Sequence, residues 1–151
     1  MSQLTEPILD KEVMRSMVEE MIPIHKLLGL KLLETKMDYI KVRVPFSEYV
    51  IGDFRRRRWH GGILGAIMDA VGGMIGLMHI TSPEDKLATI DLRIDYLRGA
   101  KATDVIIEGH LVRLGNRILV ASMKAWNEGE EDLVAEGKAV YNFIRKGTPS
   151  S

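Results

Sequence analysis

Between Gly61 and Met78 the chain runs GGILGAIMDAVGGMIGLM, and Asp69 is the only charged residue in it. A helix that is apolar on every face has to be covered nearly all the way round, by lipid or by protein. A carboxylate buried halfway along such a helix costs several kcal/mol if unpartnered, so a group kept there is a candidate for chemistry. The length, the four preceding arginines Arg55–Arg58 and the GxxxG pairs Gly61/Gly65 and Gly72/Gly76 would suit a membrane span. Against that, Asp69 near the bilayer centre would cost roughly 2.5–3.5 kcal/mol. Six glycines (61, 62, 65, 72, 73 and 76) also dilute the hydrophobicity. The reading adopted is no membrane span but a central helix wrapped by protein.

The flanking segments can supply the wrapping. Residues 10–22 have helical spacing, with Val13, Met17 and Met21 in one row and Met14, Val18 and Ile22 in the next. Asp10 is placed to cap this helix and Pro23 to stop it. Residues 28–36 read as a weakly patterned strand. Residues 38–46 are clearer: Ile40, Val42, Val44 and Phe46 alternate with Tyr39, Lys41, Arg43 and Pro45. The helix over 61–79 follows, then a turn at Ser82-Pro83-Glu84-Asp85. Four strands complete the chain: 87–97, 104–113, 117–126 after the Gly115-Asn116 turn, and 133–144 after the polar stretch 127–132. In the first, Ala88, Ile90, Leu92, Ile94 and Tyr96 are expected on one face and Thr89, Asp91, Arg93 and Asp95 on the other. Short links favour an antiparallel meander. The expected class is α+β, a strongly curved antiparallel sheet around a long central helix whose glycines admit sheet backbone or a partner chain. The chain divides into an N-terminal helical segment (1–23), the domain proper (24–145) and a flexible tail (146–151).

Composition narrows the function classes. A chain of 151 residues with 46% hydrophobic residues can bury one ordinary core. Zero formal net charge provides no global field for a polyanion, so no nucleic-acid partner is expected. The absence of cysteine excludes disulfides, thiolate metal sites and a cysteine nucleophile. The acidic, polar start MSQLTEPILDKEV is no signal peptide, and a cytoplasmic location is expected. His25, His79 and His110 have no metal-ligand spacing, so no metal is expected. No GxSxG motif marks a serine hydrolase.

HGGILGAIMDAVGG, then ATIDLRIDYLRGAK, then RLGNRILVASMKAWNE together resemble the hotdog-fold acyl-CoA thioesterases. Within that fold the chain is similar to the PaaI-like family and its YigI-type medium- and long-chain branch, over about residues 24–144. The resemblance implies a hotdog fold, a homodimer or dimer-of-dimers homotetramer, and hydrolysis of acyl-CoA to free acid and CoA without a cofactor. It maps the oxyanion-binding amide to Gly61 and the catalytic acid, as general base or nucleophile, to Asp69. Helix starts carry unpaired N–H groups and a positive dipole, and glycine lets a carbonyl approach them. A Ser or Thr that assists the acid maps to Thr89. His60 belongs to the same set, as a base or, by preference, as the residue that fixes the loop.

Several relatives carry Asn or Gln six or seven residues before the HGG histidine. This chain has Asp53 and Phe54 there, and an ionised Asp53 cannot donate. For the CoA phosphates the candidates are Arg57 and Arg58 from the arginine run, with Arg98, Asn116 and Arg117 from loops and Gly62 at the helix start. Lys101 and Arg113 could contribute. Ile63, Ile67, Met68, Met74 and Met78 are candidates for an apolar acyl lining.

Gly61 and Asp69 are eight residues apart, about 12 Å along a straight helix. They cannot both touch one carbonyl. If both act, each site joins Gly61 of one subunit to Asp69 of another. The competing readings are a non-catalytic acyl-CoA sensor, an aromatic acyl-CoA thioesterase, and a hotdog hydratase, for which no Asp/His motif is recognisable.

Overall fold

Asp10 acts as the expected helix cap: its Oδ1 accepts the N–H groups of Glu12 (2.8 Å) and Val13 (3.3 Å). The computed structural model describes residues 10–147; residues 1–9 and most of the expected tail lie outside the described residues. Helix α1 (Lys11–Ser16) runs on through a π-helical turn, Met17–Met21. Pro23 follows the end of this helix as expected, with Ile22 extended (φ −93°, ψ 116°). It opens a second helix, α2 (Pro23–Leu28), because a ring without an N–H and with fixed φ suits the first helical position.

The strands are β1 (Lys31–Lys36), β2 (Tyr39–Val44), β3 (Ile51–Asp53), β4 (Arg58–Trp59), β5 (Lys86–Tyr96), β6 (Val105–Leu114), β7 (Ile118–Asn127) and β8 (Leu133–Ile144). The short β3–β4 hairpin has no counterpart in the sequence reading. The central helix is α3 (Gly61–Leu77). Six strands form one sheet in the order β1-β2-β6-β7-β8-β5. β6, β7 and β8 are a meander as expected, but β5 does not open it. It pairs with the far side of β8, so an eleven-residue strand becomes the sheet edge.

Inward side chains of the curved sheet pack on α3. Ile40, Val42 and Val44 from β2, Leu119, Ala121, Met123 and Ala125 from β7, and Ala139, Tyr141 and Phe143 from β8 are all buried. Leu64, Ile67, Met68, Val71, Met74 and Ile75 meet them from the helix. Each large side chain contributes about 1.5–3 kcal/mol on burial. The helix glycines face side chains, not sheet backbone: Gly65 faces Ile94 and Tyr96, Gly72 faces Tyr141 and Met123, and Gly76 faces Leu87. One stripe of α3 stays outside the wrap. Gly62 and Ala66 are exposed on it, and Asp69, Gly73 and Leu77 are half-buried. Among the described residues no helix is long and apolar enough to cross a membrane.

The expected facing of β5 holds only in part. Thr89 pairs with Tyr141 and Asp91 with Val140, which leaves Ile90 as an extra residue. Such a bulge reverses which face the next residues take. Leu87 and Thr89 before it, and Leu92, Ile94 and Tyr96 after it, therefore all turn toward α3, while Ile90 is 57% exposed. The strict alternation read from the sequence had put Thr89 and Leu92 on opposite faces.

Candidate active site

Asp69 projects from the open stripe of α3 and is met by two hydroxyls. Thr89 Oγ1 donates to Asp69 Oδ1 at 2.9 Å. Tyr141 Oη lies 2.7 Å from the Asp69 backbone carbonyl oxygen and 3.1 Å from the same Oδ1. Its single proton is shared between them. Both donors converge on Oδ1, and Oδ2 has no protein donor among the described residues. Burial pushes the Tyr141 phenol well above its ordinary pKa, and the Asp69 charge and hydrogen bond add to the shift. Tyr141 therefore stays a donor over the working pH range. The register that sets Thr89 opposite Tyr141 on adjacent strands brings both hydroxyls to one carboxylate.

Asp69, Thr89 and Tyr141 open into a cleft of about 380 Å³. Its other walls are mainly apolar and include Met74 and Leu77 of α3, Leu87 of β5 and Ile22 and Ile24 of the N-terminal segment. Of the expected acyl lining only Met74 reaches this cleft. Ile67, Met68 and Met78 are at most 2% exposed within the core, and Ile63 packs against it. His25 also lines the cleft. Its Nδ1 is 3.1 Å from the Val18 carbonyl. A carbonyl only accepts, so Nδ1 carries the proton. Burial holds this imidazole below its ordinary pKa, against the opposite pull of the Val18 and Met17 carbonyls.

The start of α3 is a separate place. His60 is the helix cap, and its Nδ1 accepts the Gly62 N–H at 2.9 Å. That donor is thereby taken, so the expected use of Gly62 as a ligand-binding amide does not fit this arrangement. Ile63 and Leu64 donate to the His60 carbonyl. Gly61 N–H has no acceptor among the described residues and is the remaining free donor of the first turn. Tyr96 Oη donates to the Gly61 carbonyl at 2.5 Å and fixes that peptide plane. A surface cleft of about 510 Å³ opens here, bounded by Gly52, Asp53, Phe54, Trp59, His60 and Gly61. Asp53 Oδ1 caps its own turn, accepting from Arg55 and Arg56 N–H at 3.1 Å each.

The arginines are not one cluster. Arg57, with φ +55°, forks onto Glu48 at 2.6 and 3.1 Å. Glu48 holds the Arg57 guanidinium above its usual range. Arg98 donates to Asp132 (3.2 Å) and to the Leu133 carbonyl (3.1 Å). Arg58 lies over Gly99. Exposed Asn116 and Arg117 stand at the other end of the sheet, where Ile118 pairs with Asn142 and Lys86 with Ile144. Arg98 follows Tyr96, which pairs with Ala135 at the opposite end. An eleven-residue strand separates the two groups by roughly 33 Å, so they cannot share one ligand within a subunit. Among the described residues no three His, Asp or Glu gather to form a metal site. His79 instead ties the end of α3 to Asp38 at 2.6 Å.

The sequence reading missed Tyr141, Tyr96 and His25. For the two tyrosines a signal existed: a phenol on an inward strand face needs a partner for its hydroxyl.

Comparison with known proteins adds to the geometry. Residues 58–134 match the family model described as the thioesterase superfamily. The chain is 27% identical to the medium/long-chain acyl-CoA thioesterase YigI of Escherichia coli K12, covering 89% of this chain and 96% of that protein. A crystal structure of a protein from the thioesterase superfamily is 30% identical and superimposes with a TM-score of 0.78, covering 88% of this chain and 97% of the other. A thioesterase of Haemophilus influenzae shares the fold at a TM-score of 0.80 and 17% identity, over 95% of this chain and 96% of that one.

Proposed function

Because the chain belongs to the thioesterase superfamily, we propose that it hydrolyses medium- to long-chain acyl-CoA to the free acid and CoA at the Asp69 cleft. The observation that carries this reading is the Thr89–Asp69–Tyr141 cluster. A lone carboxylate has one oxygen fixed by two neutral donors and the other left free, in a cleft with apolar walls. Asp69 Oδ2 either takes a proton from the attacking water or attacks the thioester carbonyl itself. Thr89 and Tyr141 hold the carboxylate; the Gly61 N–H meets the oxyanion as charge develops on it. In the first route Asp69 passes the proton taken from water to the departing CoA sulfur; in the second the CoA thiolate leaves as the acyl–Asp69 anhydride forms, water then hydrolyses that anhydride, and the proton released protonates the thiolate. The reaction needs only water and no cofactor.

One subunit cannot complete this site, since Gly61 and Asp69 are about 12 Å apart along α3. The exposed β5 edge supports a homodimer. Tyr96, beside Gly61, and Thr89, beside Asp69, lie toward opposite ends of that strand. Two β5 edges paired antiparallel about Leu92 and Arg93 bring Tyr96 of one subunit near the partner's Thr89, and hence Gly61 near the partner's Asp69. The same pairing brings Arg58 and Arg98 of one subunit toward the partner's Arg117, so that both subunits face the CoA phosphates.

Free-thiol release from a panel of acyl-CoAs tests the reading. Wild type is expected to turn over, and Asp69→Asn to lose at least a hundredfold in kcat with its circular dichroism unchanged. Equal turnover by the two proteins would remove Asp69 from the mechanism. A single turnover in ¹⁸O-water tests the nucleophilic role of Asp69: label entering the enzyme carboxylate marks the nucleophile.

A further inference from the structure

Among the described residues four polar side chains line the Asp69 cleft, and three of them, Asp69, Thr89 and Tyr141, bond to one another. The fourth, His25 of α2, stands outside that cluster and is only 3% exposed. Its Nδ1 donates to the Val18 carbonyl at 3.1 Å, which fixes the tautomer and leaves Nε2 with a lone pair and no proton. Burial holds the ring below its ordinary pKa, so it is neutral at neutral pH. Nε2 has no hydrogen-bond partner among the described residues, and yet it is not sealed in. Thr35 Oγ1 is the one buried side-chain polar atom among them that is both unpartnered and cut off from solvent. An imidazole pinned at Nδ1 by the N-terminal segment therefore presents a pure acceptor at its other nitrogen, in a cleft whose remaining walls are apolar.

We infer that His25 Nε2 is a specificity contact: it accepts a hydrogen bond from a hydroxyl carried on the acyl chain, so that a hydroxyacyl-CoA is preferred to the plain or the oxo chain of equal length. The inference rests on the acyl-CoA reading above. A plain alkyl chain displaces the water that reaches Nε2 and offers no donor in exchange. An oxo group sets a second acceptor against the same lone pair. A hydroxyl donates, and being neutral it enters between apolar walls that would reject an ammonium. An acceptor left unpaired by the wrong chain lowers its binding by about ten- to a hundredfold, and a site with such a group discriminates by that margin. His25 thus acts on the choice of chain and takes no part in the proton transfers at Asp69.

The test is kcat/KM of the full-length protein at neutral pH for dodecanoyl-CoA and for its hydroxy and oxo derivatives, with the substituent moved along successive carbons. At the carbon that passes His25, wild type is expected to favour the hydroxy form at least tenfold over both others. His25→Asn keeps an amide nitrogen where Nδ1 donates to Val18 and has nothing at the Nε2 position, so it is expected to bring that ratio close to one. His25→Gln sets its amide at the Nε2 position and is expected to restore the preference over the plain chain while also admitting the oxo form, because the amide can turn to donate. A wild type that favours the hydroxyl at no carbon, or a preference that survives in His25→Asn, overturns the inference while leaving acyl-CoA hydrolysis in place. Should a variant fail to fold, the wild-type comparison decides alone, and equal use of the hydroxy and oxo forms overturns the inference as well. A wild type inert to every acyl-CoA defeats the hydrolase reading instead. In that event calorimetry with alkyl-CoA and hydroxyalkyl-CoA thioethers still decides the contact: the hydroxyl must tighten binding to wild type, and equal affinities overturn it.

Discussion

Gly72→Ala is a small change in a helix interior, and on propensity alone it should stabilise by about 1 kcal/mol. The structure reverses that sign. An added Cβ at Gly72 would fall far inside van der Waals contact of Tyr141 Oη, and 3.2 Å from both Tyr141 Cζ and Met123 Sδ. The phenol is fixed by its own bonds to the Asp69 carbonyl and carboxylate, so relief requires breaking them. Overpacking costs about 1–3 kcal/mol, and a lost hydrogen bond to a charged group about 1.5–3 kcal/mol. Set against the propensity gain, Gly72→Ala should lose about 1.5–5 kcal/mol. In a Tyr141→Phe background the clashing oxygen is gone, and the same substitution should cost no more than about 1 kcal/mol. Urea denaturation of the four proteins at one protein concentration, with equal m-values, gives the coupling. Gly73→Ala, whose Cβ would lie 3.8 Å from Tyr141, is the internal control and should stabilise. Additivity of Gly72→Ala and Tyr141→Phe within about 0.5 kcal/mol would refute the claim that Gly72 exists to admit the hydroxyl that holds Asp69.

Thr89→Val keeps the shape and removes a donor aimed only at Asp69 Oδ1. It should lower kcat by about 10- to 100-fold with little change in KM, and Thr89→Ser should recover most of the loss in steady-state assays. Two buried groups shape the pH dependence of stability. The His25 pKa is depressed below 6.5, so the unfolded chain takes up that proton first. Stability is then full above about pH 6.5 and falls as pH drops below it, and His25→Gln should flatten that slope in urea titrations. The Tyr141 pKa is raised above 10.0, so the unfolded chain releases its proton first. Its contribution is full below about pH 10 and is lost as pH rises further, a slope that Tyr141→Phe should reduce.

Asp69 and the central helix were legible because one charge in an apolar run has no ordinary explanation. The β2 and β7 faces were legible because their alternation is unbroken and half of each strand is buried. The bulge at Ile90 was not, since Ala88, Ile90, Leu92 and Ile94 keep a regular apolar spacing straight through it. Register with β8 produces the bulge, and register is a tertiary property. The position of β5 at the edge was hidden for a related reason. Its link to β6 is long enough to cross the sheet, so shortness of the other links decided nothing about it. Tyr141 meets Asp69 across 72 positions of sequence, so its inward phenol signalled the need for a partner but not which one. The arginine run announced its charge but not that Arg57 is paired, because Glu48 comes from another element.

The composite site can be tested with two defective subunits. Gly61→Pro deletes the candidate oxyanion donor while keeping the helix start: His60 is already extended (φ −67°, ψ 125°), and proline is favoured at the first helical position. Asp69→Asn deletes the acid. Each variant alone should be inactive against an acyl-CoA that wild type hydrolyses. Co-expressed in equal amounts, they should recover about a quarter of wild-type activity, because half the dimers are mixed and each mixed dimer rebuilds one intact site. If the mixed preparation stays as inactive as its parents although mixed dimers are isolated, Gly61 and Asp69 do not act across the subunit boundary, and the account fails at its centre.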